Sequence, residues 1–130
     1  MNVLVVAAHP DDEVLGLGGT VARHASDGDR VTVMILADRG SARYDEARIR
    51  EVRTAARSAS QRLGVAEVRF GELEDQKLDT LPILEVTRPI ESILGQRLVS
   101  EAVVAAIVVR KWTAQRGSVQ PIHSPDPGSQ

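Results

Sequence analysis

The sequence predicts an α/β fold in which βαβ units follow one another on a mostly parallel sheet. Apolar runs alternate with helical periodicities along the chain, which is the pattern that such units produce. The first two apolar runs are continuous, as in strands buried on both faces. The chain has 130 residues of which 42% are hydrophobic, enough for one domain with its own core.

The predicted elements come in strict alternation and end in a polar tail. Strands are predicted at residues 2–8, 31–37 and 65–70, and helices at 11–27, 44–63, 81–94 and 97–109. Gly28 and Gly64 follow the first two helices in the position where glycine commonly ends a helix. Residues 1–109 therefore form one predicted domain. Residues 110–130 are rich in Gly, Pro, Ser and Gln and are predicted to be a disordered tail.

Composition excludes several classes of site and partner. The chain has no cysteine, so neither a disulfide nor a thiolate metal site is possible. Its formal net charge of −2 gives no support to nucleic-acid binding, which usually needs a basic surface. The amino-terminal apolar run lacks a basic leader and meets acids at once, unlike a signal peptide. No run approaches the ~18 apolar residues of a membrane span. We expect a soluble, cytoplasmic protein.

Residues 8–13, Ala-His-Pro-Asp-Asp-Glu, follow the first predicted strand directly. Ligands bind at the carboxyl ends of strands in open α/β sheets, and imidazole and carboxylate suit zinc and other divalent metals. His9 and Asp12 are three residues apart, so a turn can direct both at one ion and leave Asp11 as a base. The alternative is structural: Asp11 or Asp12 caps the following helix, and Glu13 complements its dipole.

This motif, together with residues 16–20 (Gly-Leu-Gly-Gly-Thr) and 75–82 (Asp-Gln-Lys-Leu-Asp-Thr-Leu-Pro), resembles the PIG-L/LmbE family of zinc-dependent N-acetylglucosaminyl deacetylases. The resemblance spans about residues 1–106 and implies a Rossmann-like three-layer αβα fold. It also implies hydrolysis of the N-acetyl group of a GlcNAc-containing sugar or glycoconjugate. By the family motif, His9 and Asp12 would bind Zn2+ or another divalent metal. Asp11 would be the general base, and Glu13 would orient the site from behind the ligands.

Three further residues are candidates for substrate binding. Arg39 follows the second predicted strand, where it could grip a sugar hydroxyl or a phosphate. Arg50 and Glu51 match a family Arg-Glu pair near the site, although an ion pair on the helix surface is the alternative. Asp75 lies in the loop after the third strand and is a candidate for contact with the substrate.

The chain departs from the family after the helix predicted at 81–94. The family has a strand there and then a loop that carries the third metal ligand, but only two residues separate Leu94 from Arg97. We therefore expect an incomplete fold whose first strand has one open edge, which favours self-association. With the third ligand absent, we also expect weak metal binding and impaired activity.

Two alternatives to an active deacetylase remain open at this stage. One is a non-catalytic sugar- or nucleotide-binding Rossmann-like module, to which Gly16, Gly18 and Gly19 give slight support. These glycines lie inside a predicted helix, however, whereas a phosphate-binding fingerprint needs them in the preceding turn. The other alternative is an inactive remnant of the family. The metal content of the purified protein distinguishes the deacetylase from the binding module, because the binding module requires no metal.

Overall fold

The computed structural model describes residues 1–39, 45–96 and 104–105. It contains strands β1 (Asn2–Ala7), β2 (Arg30–Arg39), β3 (Glu67–Glu74) and β4 (Val104–Ala105). Its helices are α1 (Asp12–Ser26), α2 (Glu46–Arg62) and α3 (Ile83–Gln96). The predicted alternation of three strands and three helices is thus confirmed, with ends that differ by a few residues.

All four strands are parallel and lie in the order β3-β2-β1-β4. Val5 of β1 pairs with Val33 of β2, which in turn pairs with Val68 of β3. Since parallel strands need a crossover between them, α1 and α2 carry the chain from β1 to β2 and from β2 to β3. The predicted α/β class and mostly parallel sheet are confirmed.

The sheet is covered by helices on both faces, which makes three layers. One face packs against α1 and α2, and the other packs against α3. Alternate residues of β1 face opposite sides, so Val3, Val5 and Ala7 join the first core whereas Leu4 and Val6 join the second. In the described ranges, none of the helices is both long and apolar enough to cross a membrane.

The prediction of a helix at residues 97–109 is wrong at Val104–Ala105, because these residues form β4 beside β1. Leu4 pairs with Val104 and Val5 pairs with Ala105, so β1 has a parallel neighbour on each side. Valine favours strands, and the unpaired backbone of β1 gives this stretch a partner that helical periodicity alone does not reveal. The open edge expected for β1 is therefore absent at these two residues. The rest of 97–109 and the predicted tail 110–130 lie outside the described residues.

A distortion in β3 shapes the end of the sheet at which the carboxyl ends of its parallel strands lie, which we call the carboxyl edge. Beyond the Ile35–Phe70 pair, the register between β2 and β3 shifts twice. Glu72 has a φ of 57°, which is unusual for a residue with a side chain. Gly71 lies so close to β2 that a Cβ there would be 2.8 Å from the Leu36 carbonyl oxygen. Such an irregularity bends the strand and re-aims the residues that follow it.

Candidate metal and catalytic site

The turn between β1 and α1 holds His9 and Asp12 together. The His9 backbone N–H donates to Asp12 Oδ2 at 3.0 Å, and the Asp12 N–H donates back to the His9 carbonyl at 3.3 Å. Pro10 fixes the backbone between them. As a result His9 Nδ1 lies 3.5 Å from Asp12 Oδ2. The structure thus brings the two predicted metal ligands to one place at the carboxyl end of β1.

The two ring nitrogens of His9 have different surroundings. Nε2 lies 3.1 Å from Asp75 Oδ1, whereas Nδ1 is buried and has no hydrogen-bond partner. The contact between Nε2 and Asp75 is an ion-pair distance without hydrogen-bond geometry. Nδ1 faces the carboxylate of Asp12, whose side chain is 3% exposed.

A divalent cation fits these donors. An imidazole nitrogen without a hydrogen-bond partner and a carboxylate oxygen 3.5 Å away are both electron-rich, so positive charge placed against both stabilises them. In residues 1–39 and 45–96, however, no group of three or more His, Cys, Asp or Glu side chains is arranged to hold a metal ion. The described part of the chain therefore brings together two of the predicted ligands, His9 and Asp12.

Asp11 and Glu13 complete the turn. Asp11 has a φ of 107° and precedes α1, but its side chain makes no capping hydrogen bond. Its backbone N–H donates to Glu13 Oε2 at 3.0 Å, so Glu13 holds the unusual conformation in place. Glu13 is 1% exposed, and this burial raises the pKa of its carboxyl group. The capping role considered for Asp11 is not found, and its side chain is exposed at the edge of the sheet.

A second polar cluster, at the carboxyl end of β2, was missed by the sequence reasoning. The Asp38 side chain is 1% exposed, and its Oδ2 lies 2.5 Å from Arg53 Nη2 in an ion pair without hydrogen-bond geometry. Asp38 Oδ1 accepts the Glu72 N–H at 2.9 Å. Arg53 and Arg57 of α2 both lie over the Phe70 ring, 5.4 Å and 4.9 Å from its centre. The sequence did contain one signal for this cluster, since Asp38 directly follows the apolar run of the second predicted strand.

The predicted substrate-binding residues are not brought together as one group. Arg39 ends β2 with an exposed side chain, and its carbonyl accepts the Asp75 N–H at 3.0 Å. Asp75 contacts His9 as described above. Arg50 is exposed on α2 and lies 3.5 Å from Glu46, which is the helix-surface ion pair considered as the alternative. Contact of any of these side chains with a substrate stays a prediction.

Residues 4–112 match the PIG-L family, described as GlcNAc-PI de-N-acetylase. A stretch of 33 residues is 61% identical to a 1D-myo-inositol 2-acetamido-2-deoxy-alpha-D-glucopyranoside deacetylase of Actinosynnema mirum, covering 25% of this chain and 12% of that relative. Among solved structures, the fold is similar to an N,N'-diacetylchitobiose deacetylase from Pyrococcus horikoshii, with 27% identity and a TM-score of 0.62, over 73% of this chain and 37% of that one. It is also similar to a 4-carboxy-2-hydroxymuconate hydratase from Pseudomonas putida, with 34% identity and a TM-score of 0.50, over 58% of this chain and 35% of that one. The chain thus matches much less than two thirds of the length of these relatives.

Proposed function

Because the chain belongs to the PIG-L family, we propose that it hydrolyses the N-acetyl group of a GlcNAc-containing sugar or glycoconjugate. One observation carries the proposal. The buried His9 Nδ1 has no hydrogen-bond partner and faces Asp12 Oδ2 across 3.5 Å, next to the exposed Asp11. We therefore assign the roles of two metal donors and a base to residues of this one turn at the carboxyl end of β1. The substrate class is taken from the deacetylases to which the chain is similar.

His9 and Asp12 are the residues that would hold the metal, which we take to be Zn2+ or another divalent ion. When bound, such an ion polarises the acetyl carbonyl and lowers the pKa of a water molecule. Catalytic zinc sites ordinarily have three protein ligands, and the described residues provide two. We therefore expect weak binding and an activity that depends on metal supplied in excess.

Asp11 is the proposed general base. Its carboxylate accepts a proton from the attacking water while the water oxygen forms a bond to the acetyl carbon. The C–N bond then breaks, the proton passes from Asp11 to the leaving nitrogen, and acetate and the free amine are released. Glu13 contributes by holding the Asp11 backbone through the 3.0 Å hydrogen bond to its Oε2.

Arg39 and Arg50 are the proposed cations on the substrate side. Arg39 stands at the end of β2 on the same edge of the sheet as His9, with its side chain exposed. Its guanidinium can donate hydrogen bonds to sugar hydroxyls or to an anionic substituent. Arg50 lies in the first two turns of α2 and would exchange its exposed pairing with Glu46 for a contact with the substrate.

Hydration of an unsaturated tricarboxylic acid is a second candidate function. It is favoured by the similarity to the hydratase, which at 34% identity is more similar in sequence than the chitobiose deacetylase at 27%. Both reactions begin with removal of a proton from water, so the arrangement of His9, Asp11 and Asp12 serves either. The two reactions differ in the electrophile and in the product.

Acetate release is the experiment that separates these functions. The purified chain is incubated with N-acetylglucosaminyl inositol, N,N'-diacetylchitobiose and free GlcNAc, each with excess Zn2+ or with a chelator, and Asp11→Asn is the blank. A parallel sample contains 4-carboxy-2-hydroxymuconate, and its consumption is monitored by the loss of its ultraviolet absorption. Zinc-dependent acetate release that the blank lacks supports the deacetylase. Consumption of the tricarboxylate alone supports the hydratase, and sugar binding without any turnover or bound metal supports the binding module.

A further inference from the structure

We infer that Asp38 and Arg53 are positioning residues for Asp75: their buried ion pair fixes the irregular end of β3 and so determines where the Asp75 carboxylate lies. Neither member of the pair needs to touch a substrate for this role. The inference rests on the proposed function only for what Asp75 contacts once it is in place. The conformation of residues 70–75 is a property of the chain without metal or substrate.

The backbone pairing between β2 and β3 becomes irregular just before Asp75. Ile35 and Phe70 form the last pair in regular register, and the register shifts twice between Ile35 and Arg39. Within this stretch Glu72 has a φ of 57°. Such a conformation costs free energy for a residue with a side chain, so it persists only where surrounding contacts hold it. The end of β3 therefore needs contacts beyond the regular ladder.

Asp38 supplies such a contact with its side chain. Its Oδ1 accepts the N–H of Glu72 at 2.9 Å, so a carboxylate of β2 binds the backbone of β3 at the residue with positive φ. Hydrogen bonds to an ionised carboxylate are among the stronger ones. The Asp38 side chain is 1% exposed, which leaves water little access to compete for it.

Arg53 holds the Asp38 carboxylate in place from α2. Its Nη2 lies 2.5 Å from Asp38 Oδ2, and its guanidinium lies over the Phe70 ring, 5.4 Å from the ring centre. One side chain thus links α2 both to β2 and to the last regular residue of β3. A buried charge that loses its partner is strongly destabilising. The carboxylate therefore cannot turn away from Glu72 without the cost of leaving Arg53.

The stretch that Asp38 fixes leads directly to Asp75. The Asp75 N–H donates to the carbonyl of Arg39 at 3.0 Å, so residues 72–75 are bound to β2 at both ends. Asp75 Oδ1 then lies 3.1 Å from Nε2 of His9, although β2 separates β3 from β1. Irregularities of this kind re-aim the side chains that follow them. A change at Asp38 should therefore displace the Asp75 carboxylate.

Amide hydrogen exchange in the metal-free chain tests the inference without a substrate. In Asp38→Ala the Glu72 N–H loses its acceptor, so its exchange should become roughly 10- to 100-fold faster. Exchange of the Asp75 N–H should also become faster, because the segment opens as a unit. Asp38→Asn keeps an oxygen for the Glu72 N–H but loses the charge that pairs with Arg53, so the increase should be smaller.

Glu67→Gln is the matched control. Glu67 of β3 forms an ion pair with Arg30 of β2 at 3.7 Å, between the same two strands but at their opposite ends. Its replacement weakens the contact between β2 and β3 without touching the irregular stretch. We expect the exchange of the Glu72 and Asp75 amides to stay as it is in the unaltered chain.

Substrate kinetics give the second readout. Asp75 is a predicted substrate-binding residue, so Asp38→Ala should raise KM for the N-acetylated sugar and change kcat by less. The increase in KM should be absent in a chain that already carries Asp75→Ala, because Asp38 acts through Asp75. Glu67→Gln should leave KM unchanged.

Two results would overturn the inference. The first is exchange at Glu72 and Asp75 that is no faster in Asp38→Ala than in Glu67→Gln; if Asp38→Ala does not fold, the same comparison with Asp38→Asn decides. The second is an increase in KM that persists in the Asp75→Ala background. Because exchange is measured without metal or substrate, faster exchange in a chain that releases no acetate contradicts only the deacetylase proposal.

Discussion

Two histidine–aspartate pairs lie at opposite edges of the same sheet. His24, in the last turn of α1, pairs with Asp29 just before β2, whereas His9 follows β1 and pairs with Asp75. Both histidine side chains are 23% exposed, so burial does not distinguish them. The difference lies in what surrounds each pair.

The pair at the amino edge is electrically balanced. His24 Nδ1 lies 2.7 Å from Asp29 Oδ2, and the amino group of Met1 lies 2.5 Å from Asp29 Oδ1. The hydrogen bond from the amino terminus, followed by that from His24, lowers the pKa of the Asp29 carboxyl group. Each oxygen of Asp29 has a cationic or donor partner, and the pair ties the starts of β1 and β2 together. This is an arrangement for stability.

The pair at the carboxyl edge has the opposite character. The His9 ring lies between two carboxylates, those of Asp75 and Asp12, and its Nδ1 has no hydrogen-bond partner. Beside it are Asp11 in an unusual backbone conformation and the buried Glu13. Strain and uncompensated polar groups cost stability and are typical of functional sites. The surroundings of a histidine–carboxylate pair, more than the pair itself, therefore identify a site prepared for a ligand.

The largest expected effect comes from Asp11→Asn. Asparagine keeps the shape and tolerates positive φ, but it cannot accept the proton of water. We expect acetate release to fall by about 100- to 10,000-fold, the usual contribution of a general base, while Zn2+ binding persists. Asp27→Asn, at the opposite end of α1, is the control and should leave activity unchanged. If Asp11→Asn loses the metal as readily as Asp12→Asn does, the assignments of base and ligand are reversed.

Replacing each histidine in turn tests whether the two pairs differ in metal binding. His9→Gln removes a proposed ligand, so Zn2+ affinity measured by calorimetry should fall by more than the roughly 10–100-fold expected for a supporting residue. His24→Gln should leave the affinity unchanged, because its contacts lie at the other edge of the sheet. Equal losses in the two variants would show that the two pairs are not functionally different.

Two glycine variants test the bent end of β3. A Cβ on Gly71 would lie 2.8 Å from the carbonyl oxygen and 3.0 Å from the Cα of Leu36, and backbone atoms cannot easily give way. Gly71→Ala should lower the free energy of unfolding by about 1–3 kcal/mol, measured by urea denaturation. In Gly19→Ala, on α1, the new methyl meets no atom within 4 Å and should stabilise the helix by up to about 1 kcal/mol. Equal stability of the two variants would mean that β3 does not approach β2 so closely.

The smallest effect is expected on the pH dependence of stability, through Asp29 at the amino edge of the sheet. The pKa of Asp29 is lowered from its ordinary value of 3.8, so the folded state binds fewer protons there than the unfolded state. Its stabilisation is present above that ordinary value and is lost as the pH falls through the lowered one. Asp29→Asn should therefore show a shallower loss of stability on acidification, in urea midpoints measured across a pH series. If Asp29→Asn loses stability on acidification as steeply as the unaltered chain does, Asp29 does not contribute to the pH dependence of stability.

That His9 and Asp12 lie close together after β1 could be predicted from the sequence, because His9, Asp11, Asp12 and Glu13 fall within five consecutive residues. A short turn forces such residues together whatever the rest of the fold does. The cluster at the end of β2 was not predictable in the same way. Asp38 accepts a hydrogen bond from a residue 34 positions away, at a register shift that no local pattern reveals. β4 escaped prediction for a related reason, since its strand conformation depends on pairing with β1.

The central claim is that the nitrogen and oxygen facing each other at His9 and Asp12 bind a metal used for amide hydrolysis. A Zn2+ titration of metal-free protein, followed through the 15N signals of the imidazoles with acetate release measured in the same samples, tests it most directly. We predict that the signal of His9 Nδ1 shifts, that the signals of His24 are unchanged, and that acetate release rises in parallel with the His9 shift. Acetate release from samples in which the His9 ring does not change, or a shift confined to another histidine, would contradict the claim.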